Sequence, residues 1–463
     1  MTVTQAVKEL FENERAEGNE IHSLTVYRRG EKIVSIAPAP YSPFQKNHVY
    51  SLSKSFCSTA VGIACDLGYL SLDEKIVDIF PDKCPEYISE NLAQMTLYNV
   101  LSMNTGHEGC RMYEMVNSDD PVKAFLAQEV QYKPGTHFAY NTGATYLASA
   151  CVTERTGLSV LAFLEKHLFK HMDIDCSQWY GYKGITEGGV GFHVCTEDAA
   201  KLGLLYINGG IYKGKRLLSK NYIKDATSFI SDNSGNGTAD WSAGYGLQFW
   251  RNSREGYRGD GAFGQLLLVF PKRDIVIAMI AECSAMQSEI DALYTFIDDV
   301  EKATGKADYE ELTAYLNSYY PAYTIDDTES EMFGKTYKLD NNKCAFSTVR
   351  FEKREDGIDI YIASDSHINK IPLRSGKWES GTLRGSFVKP VLERLTVNYN
   401  EPLEYSCSGK LDENGNILAV LRGTNCPHLI TYLFEIDGEN IKITRRANKN
   451  SDYALAFTGS ECE

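Results

Sequence analysis

Near residue 305 the sequence changes period, and this change limits the folds open to the chain more than any other feature. Beyond it apolar and polar residues alternate: "GIDIYIA" puts Ile358, Ile360 and Ile362 on one face of a strand. Asp356-Gly357, Asn414-Gly415 and Asp437-Gly438 supply hairpin turns between such runs. Residues 331–463 are therefore expected to form a small antiparallel all-β domain, a barrel or a sandwich. Ahead of it "TGKADYEELTAYLNSYYPAYTIDDTES" places a linker at 306–330, with one helical piece.

Residues 1–305 mix both periods. A first helix carries Val7, Leu10 and Phe11 at helical spacing, and "HSLTVYRRGEKIVSIAP" alternates around Arg29-Gly30, the sign of a β-hairpin. From about Leu70 to Cys195 the pattern is helical with loops, and "TYLASACVTERTG" and "EDAAKLGLLYINGG" are helices with glycine stops. Strand signals return in "GYGLQFWRN", "GYRGDGAFGQ" and "LLLVFPKRDIVIAMIAE", followed by the helix "SEIDALYTFIDDVEKA". Strands on either side of a helical insert, with a helix at each end, describe an antiparallel sheet covered by helices. The expected class is α+β.

A net charge of -15 speaks against nucleic acid or an anionic membrane as partner, because phosphate binding needs a concentrated basic surface. No window of about 18 consecutive apolar residues could span a bilayer, and "MTVTQAVKELFENERAEGNE" lacks the apolar core of a secretory signal. The 12 cysteines form no CxxC pair, and Cys57, Cys65 and Cys151 sit in apolar helical runs where a thiol packs as a small hydrophobe. A cytoplasmic location is the expectation.

In "HVYSLSKSFCSTAVGIACDLGYL" Ser51 is followed three residues later by Lys54, at the head of a helix built largely of small residues. S-x-x-K arises roughly twice by chance in a chain this long, and it occurs at Ser51–Lys54 and at Ser386–Lys389. In the second copy a strand pattern sends the two side chains to opposite faces; on a helix the same spacing brings them together. A serine hydroxyl is a weak nucleophile, so a lysine activates it only where its pKa falls below about 10.4. The tetrahedral intermediate also needs two backbone N–H donors. Downstream, "KPGTHFAYNTGATYLASA" supplies Tyr140 in a loop that leads into a helix. Gly259, Gly261 and Gly264 open a strong strand, where glycines mark close approach of another backbone or a ligand.

These segments resemble the Ser-x-x-Lys, Tyr-x-Asn and Lys/His-x-Gly elements of the serine β-lactamase and penicillin-binding-protein superfamily, in its class C β-lactamase-like and esterase branch. "YSLSKSF", "LGYLSLDEKIVDIFPD", "LSMNTGH", "PGTHFAYNTG", "GGVGFHVCTEDAAKLGLLYINGG" and "RGDGAFGQ" follow in family order over roughly residues 20–300. The resemblance implies a β-lactamase/transpeptidase-like domain, with an antiparallel sheet flanked by helices plus a helical subdomain. It implies Ser51 as acylated nucleophile, Lys54 and Tyr140 as acid/base groups with either as the base, and the backbone N–H groups of Ser51 and Ala262 as oxyanion hole. Thr142, Asn141, Gly259, Gly261 and His107 would contact substrate. No metal or organic cofactor is implied.

Thr142 stands where the family often has asparagine, with Asn141 one residue early, and Gly259 stands where it usually has lysine, histidine or tryptophan. Without a cation there the clamp for a substrate carboxylate is weakened, which favours an esterase or amidase over a β-lactamase. Arg258 and Asp260 face the other side of the strand and are expected to pair with each other or with the surface.

Other matches have plainer readings. Tyr206-Ile207-Asn208 and Tyr315-Leu316-Asn317 also spell Tyr-x-Asn, at a helix end and in the linker. His167 and His171 read as a solvated helix face rather than metal ligands, and "GGIYKGKR" as a hairpin turn rather than a phosphate loop. His193 joins His107 as a candidate substrate contact. The chain is expected to be a serine hydrolase acting on an ester or amide of a small molecule or peptide. β-Lactamase, D-amino acid peptidase, acyltransferase and a non-catalytic ligand-binding protein are its rivals. The β domain could cover the cleft, mediate a homo-oligomer, or only stabilise.

Overall fold

The computed structural model describes residues 1–463 apart from 111, 176–177, 327–328, 365, 386–401, 448–453 and 463, and only the backbone of Tyr113 and Asp437. The second S-x-x-K, Ser386 to Lys389, lies outside the described residues. Two compact units emerge: one holds residues 1–36 and 48–308, the other holds 37–47 and the described residues from 309 onward.

In the first unit Thr2 and Gln5 cap helix α1 (Val3–Ala16) reciprocally, and Val3, Val7, Leu10 and Phe11 are buried along one stripe. Strands β1 (Glu20–Arg28) and β2 (Glu31–Ile36) meet at Arg29-Gly30, whose φ values of 54° and 74° are those a two-residue hairpin demands. The chain then enters a largely helical region containing α2 (Ser53–Asp66) and α3 (Thr142–Thr156), which pack on each other, and α4 (Thr196–Ile207). It returns through β3 (Trp250–Arg251), β4 (Tyr257–Gly261), β5 (Gln265–Phe270) and β6 (Ile275–Glu282) before α5 (Met286–Lys302). The sheet order is β2-β1-β6-β5-β4-β3, antiparallel throughout. Every residue of β5 and β6 is buried. Helix α4 packs against β1, β5 and β6, and α1 packs against α5.

The stretch "GYGLQFWRN" is mostly irregular rather than a strand: only Trp250–Arg251 joins the sheet. Gln248 explains why. Its side chain turns inward, donating to Leu101 O (2.8 Å) and accepting from Thr145 Oγ1 (2.7 Å), and its backbone adopts a φ of 65°. "GGIYKGKR" is a hairpin, with Ile211–Tyr212 paired to Lys215–Arg216.

Among the described residues the second unit is a ten-stranded antiparallel sheet. Its strands are β7 (Thr336–Leu339), β8 (Phe346–Arg354), β9 (Gly357–Ser364), β10 (Ile368–Arg374), β11 (Glu379–Leu383), β12 (Leu403–Leu411), β13 (Ile417–Gly423), β14 (Leu429–Asp437), β15 (Asn440–Ala447) and β16 (Ala454–Cys462). The order is β10-β9-β8-β7-β16-β15-β14-β13-β12-β11. The two ends of this order meet. Asn369 of β10 exchanges bonds of 3.0 and 2.8 Å with the backbone of Arg384, and Tyr405 of β12 donates to Lys370 O at 2.8 Å. The sheet thus curls into a barrel, with Ile358, Ile360 and Ile362 in its core. The expected hairpins at Asp356-Gly357, Asn414-Gly415 and Asp437-Gly438 are present. A helix at Tyr309–Asn317 occupies part of the stretch read as a linker. Helices around one antiparallel sheet, followed by an all-β unit, make the chain α+β.

Candidate active site

Ser51 sits in a single 3-10 turn, Tyr50–Leu52, that runs directly into α2. Tyr50 has a φ of 46°, left-handed for a residue other than glycine. Its ring packs against His48 (centroids 4.3 Å apart) and Phe263 (5.2 Å). Phe263, which follows Ala262, has a φ of 68°. The residues adjoining the two implied oxyanion donors are therefore both strained, and each ring helps hold the other.

Lys54, in the first turn of α2, is 1% exposed. Its Nζ lies 3.0 Å from Ser51 Oγ, 2.8 Å from Gly189 O and 3.3 Å from Thr142 Oγ1. Burial pushes its pKa down to about 7, against the opposing pull of Cys110, Asp260 and Cys57. A neutral amine has two N–H donors and one lone pair. Gly189 O can only accept and Thr142 Oγ1 can accept, so the lone pair is left for the Ser51 hydroxyl proton.

Half-buried Tyr140 lies with its ring centroid 4.8 Å from Lys54 Nζ, is hydrogen-bonded with Ser51, and stacks on Trp250 (5.3 Å). Burial first, then the negative charge of Asp260, raises the pKa of Tyr140, so its side chain is a phenol and not a phenolate. Ser51 and Ala262 are likewise part-exposed, whereas Lys54 beneath them is not.

Gly261 brings β4 against the Ser51 turn. A Cβ there would lie 2.2 Å from Val49 O and 3.1 Å from Leu52 N, backbone atoms on either side of Ser51. Gly261→Ala is expected to destabilise the protein by about 1–3 kcal/mol through overpacking. By displacing one of the two implied oxyanion donors it should also lower kcat by on the order of 10²-fold. Thermal melts and turnover of an activated ester check both.

Three residues expected at the substrate have other work. Gly259 faces α2: a Cβ there would meet Ser55 Oγ at 2.5 Å and Leu52 Cδ1 at 2.6 Å, so the position serves strand–helix packing. Asn141 is the N-cap of α3, its Oδ1 accepting from the N–H groups of Gly143 (2.9 Å) and Ala144 (3.3 Å). His107 is buried, 2.9 Å from Thr105 Oγ1 through Nδ1 and edge-on to Phe125. His193 is likewise a core residue, between His48 and Tyr180, with its pKa lowered to about 4 by burial. Thr142 contacts Lys54, and Tyr206 bonds to Thr59 in the interior.

Arg258 and Asp260 do pair, Nε to Oδ2 at 3.0 Å, but in the interior rather than on the surface. Arg258 also donates to Arg251 O (3.0 Å), Asn252 Oδ1 (3.3 Å) and Asp240 O (3.0 Å), and its guanidinium lies over Trp241 (4.6 Å) and Trp250 (5.7 Å). Arg251 and Trp250 come from the short strand β3, and Asp240, Trp241 and Asn252 from segments whose conformation has no sequence signature. Cys110, exposed and within electrostatic reach of Lys54 and Tyr140, was equally invisible.

Residues 7–302 match the model of the beta-lactamase family. The 6-aminohexanoate-dimer hydrolase of Paenarthrobacter ureafaciens is 24% identical over 294 residues, spanning 58% of this chain and 74% of that protein. A family VIII carboxylesterase superposes with a TM-score of 0.50 at 16% identity, over 64% of this chain and 98% of that one. The octameric penicillin-binding protein homologue from Pyrococcus abyssi superposes with a TM-score of 0.52 at 14% identity, over 98% of this chain and 100% of its own. The chain belongs to the beta-lactamase family of serine hydrolases.

Proposed function

We propose that the protein hydrolyses an ester or amide of a small molecule or peptide through an acyl-enzyme on Ser51. The three partners around Lys54 Nζ carry this reading: two take its N–H groups and the third is the Ser51 hydroxyl. Neutral Lys54 accepts the Ser51 proton as Oγ attacks the carbonyl carbon. The N–H groups of Ser51 and Ala262 receive the developing oxyanion. Tyr140, protonated, gives its proton to the departing oxygen or nitrogen and regains one from the Lys54 ammonium. Water then releases the acyl group from Ser51 by the same route in reverse.

An amide or ester substrate fits relatives that include a dimer hydrolase and a carboxylesterase. A β-lactam is less well served, because the Gly259 position carries no cation and Arg258 is engaged by protein groups. The octameric homologue that spans the whole chain supports self-association as a further part of the reading. The eleven free thiols among the described residues support a cytoplasmic setting.

Intact mass after incubation with a fluorophosphonate tests the reading. One adduct is expected, mapping by peptide analysis to Ser51. A folded protein that stays unmodified, or is modified elsewhere, overturns it in favour of a ligand-binding protein on the same scaffold.

A further inference from the structure

We propose that the substrate carries a protonated amine within a few bonds of the scissile carbonyl, and that Asp260 recognises it. This rests on the reading of Ser51 as nucleophile and adds the charge of the molecule it attacks. Asp260 lies on β4 immediately before Gly261, the residue that brings the strand against the Ser51 turn. It is 7% exposed and bound through Oδ2 to Arg258. It acts electrostatically on both Lys54 and Tyr140, so its charge is felt where the chemistry takes place.

The sign of that charge follows from counting the groups around Arg258. The one guanidinium faces two carboxylates, Asp260 at 3.0 Å and Asp240 at 3.9 Å. Against the cost of burial, hydrogen bonds from Tyr294, Gln287 and Ser253 hold Asp240 below the usual carboxylate range, and it stays ionised. Burial raises the pKa of Asp260, and the charge and hydrogen bond of Arg258 oppose that rise; with Asp260 ionised, one unit of negative charge is left over. Asp240 has its own donors; Asp260 has Arg258 alone among the described hydrogen-bonding groups. A substrate carboxylate would be repelled by this arrangement, while Arg258, turned toward Arg251, Asn252 and Asp240, is fully buried and out of its reach. An ammonium would instead be attracted by the Asp260 carboxylate.

The test compares the p-nitroanilides of 3-aminopropanoate, butanoate and succinate, three acyl chains of equal length ending in ammonium, methyl and carboxylate. The expected order of kcat/KM is ammonium, methyl, carboxylate, with about tenfold between neighbours, the size of a partly screened charge pair. In Asp260→Asn the ratio of ammonium to methyl should fall toward one, whatever the overall rate. A wild type that turns over the methyl compound but shows no preference, or prefers the carboxylate, overturns the proposal. Calorimetric binding of the same three compounds to Ser51→Ala reads the charge preference without chemistry. Tighter binding of the ammonium compound there sustains the role of Asp260 even if the fluorophosphonate result has rejected Ser51; equal binding sinks it even if Ser51 is labelled.

Discussion

Lys54→Met is expected to slow acylation of Ser51 by on the order of 10³-fold or more, the loss of a positioned base, and to remove the acid limb of the pH profile. In the wild type the reactive form has Lys54 neutral, so activity rises as pH climbs through about 7. The same substitution has a signature in stability. Lysine in the unfolded chain keeps its ordinary value of 10.5, whereas the folded value is about 7. Between these two values the unfolded state binds one more proton than the folded state. Wild-type stability therefore gains up to about 1.4 kcal/mol for each pH unit across that window, and below it the full cost of burying the ammonium persists. The variant lacks this slope. Thermal midpoints of both proteins, followed from pH 6 to pH 10, should diverge in favour of the wild type as pH rises. Parallel curves would mean that Lys54 titrates like a solvent-exposed lysine, and the role of base would pass to Tyr140.

The residues around Lys54 were legible because each leaves a trace in a short stretch of chain. Ser51 and Lys54 are three apart at the head of a helix, and Tyr140 lies in a loop that leads into a helix with a glycine stop. Asn141 shows the limit: an asparagine beside a tyrosine implied as an acid/base group reads as a substrate ligand, and only the bonds to Gly143 and Ala144 reveal a helix cap. Gly259 was open to the same error, since the sequence does not say which backbone or side chain approaches a strand glycine. The antiparallel all-β unit was legible as alternation and turns, but the choice of barrel over sandwich depends on Asn369, Arg384, Lys370 and Tyr405 meeting across strands far apart in sequence. "GYGLQFWRN" alternates as a strand does, yet the bonds of Gln248 to Leu101 and Thr145 outweigh that local preference. What escaped the sequence in each case is a contact between distant segments, or the choice of a polar side chain between backbone and ligand.

Arg258→Leu is expected to cost about 3–5 kcal/mol of stability, because removing one partner of a buried ion pair strands the other. Two carboxylates are left here, Asp260 at 7% exposure and Asp240 fully buried, and the space between Trp241 and Trp250 loses its planar cation. Arg258→Lys should recover only part of the loss, since an ammonium cannot reach Asp260, Arg251 O, Asn252 and Asp240 O together. The deficit also has a direction in pH. With the guanidinium gone, the folded-state pKa of Asp260 rises further above its unfolded value, so the variant loses stability as pH climbs through the ordinary carboxylate range, and the gap to the wild type narrows in acid. Denaturant melts at pH 5 and pH 8 read this directly. A deficit independent of pH would mean that Arg258 acts by packing against the two tryptophans and not by charge. Adding Asp260→Asn to Arg258→Leu separates these readings at neutral pH. If stranded charge is the cause, the double variant is more stable than the single one; if lost packing is the cause, the second substitution brings no recovery.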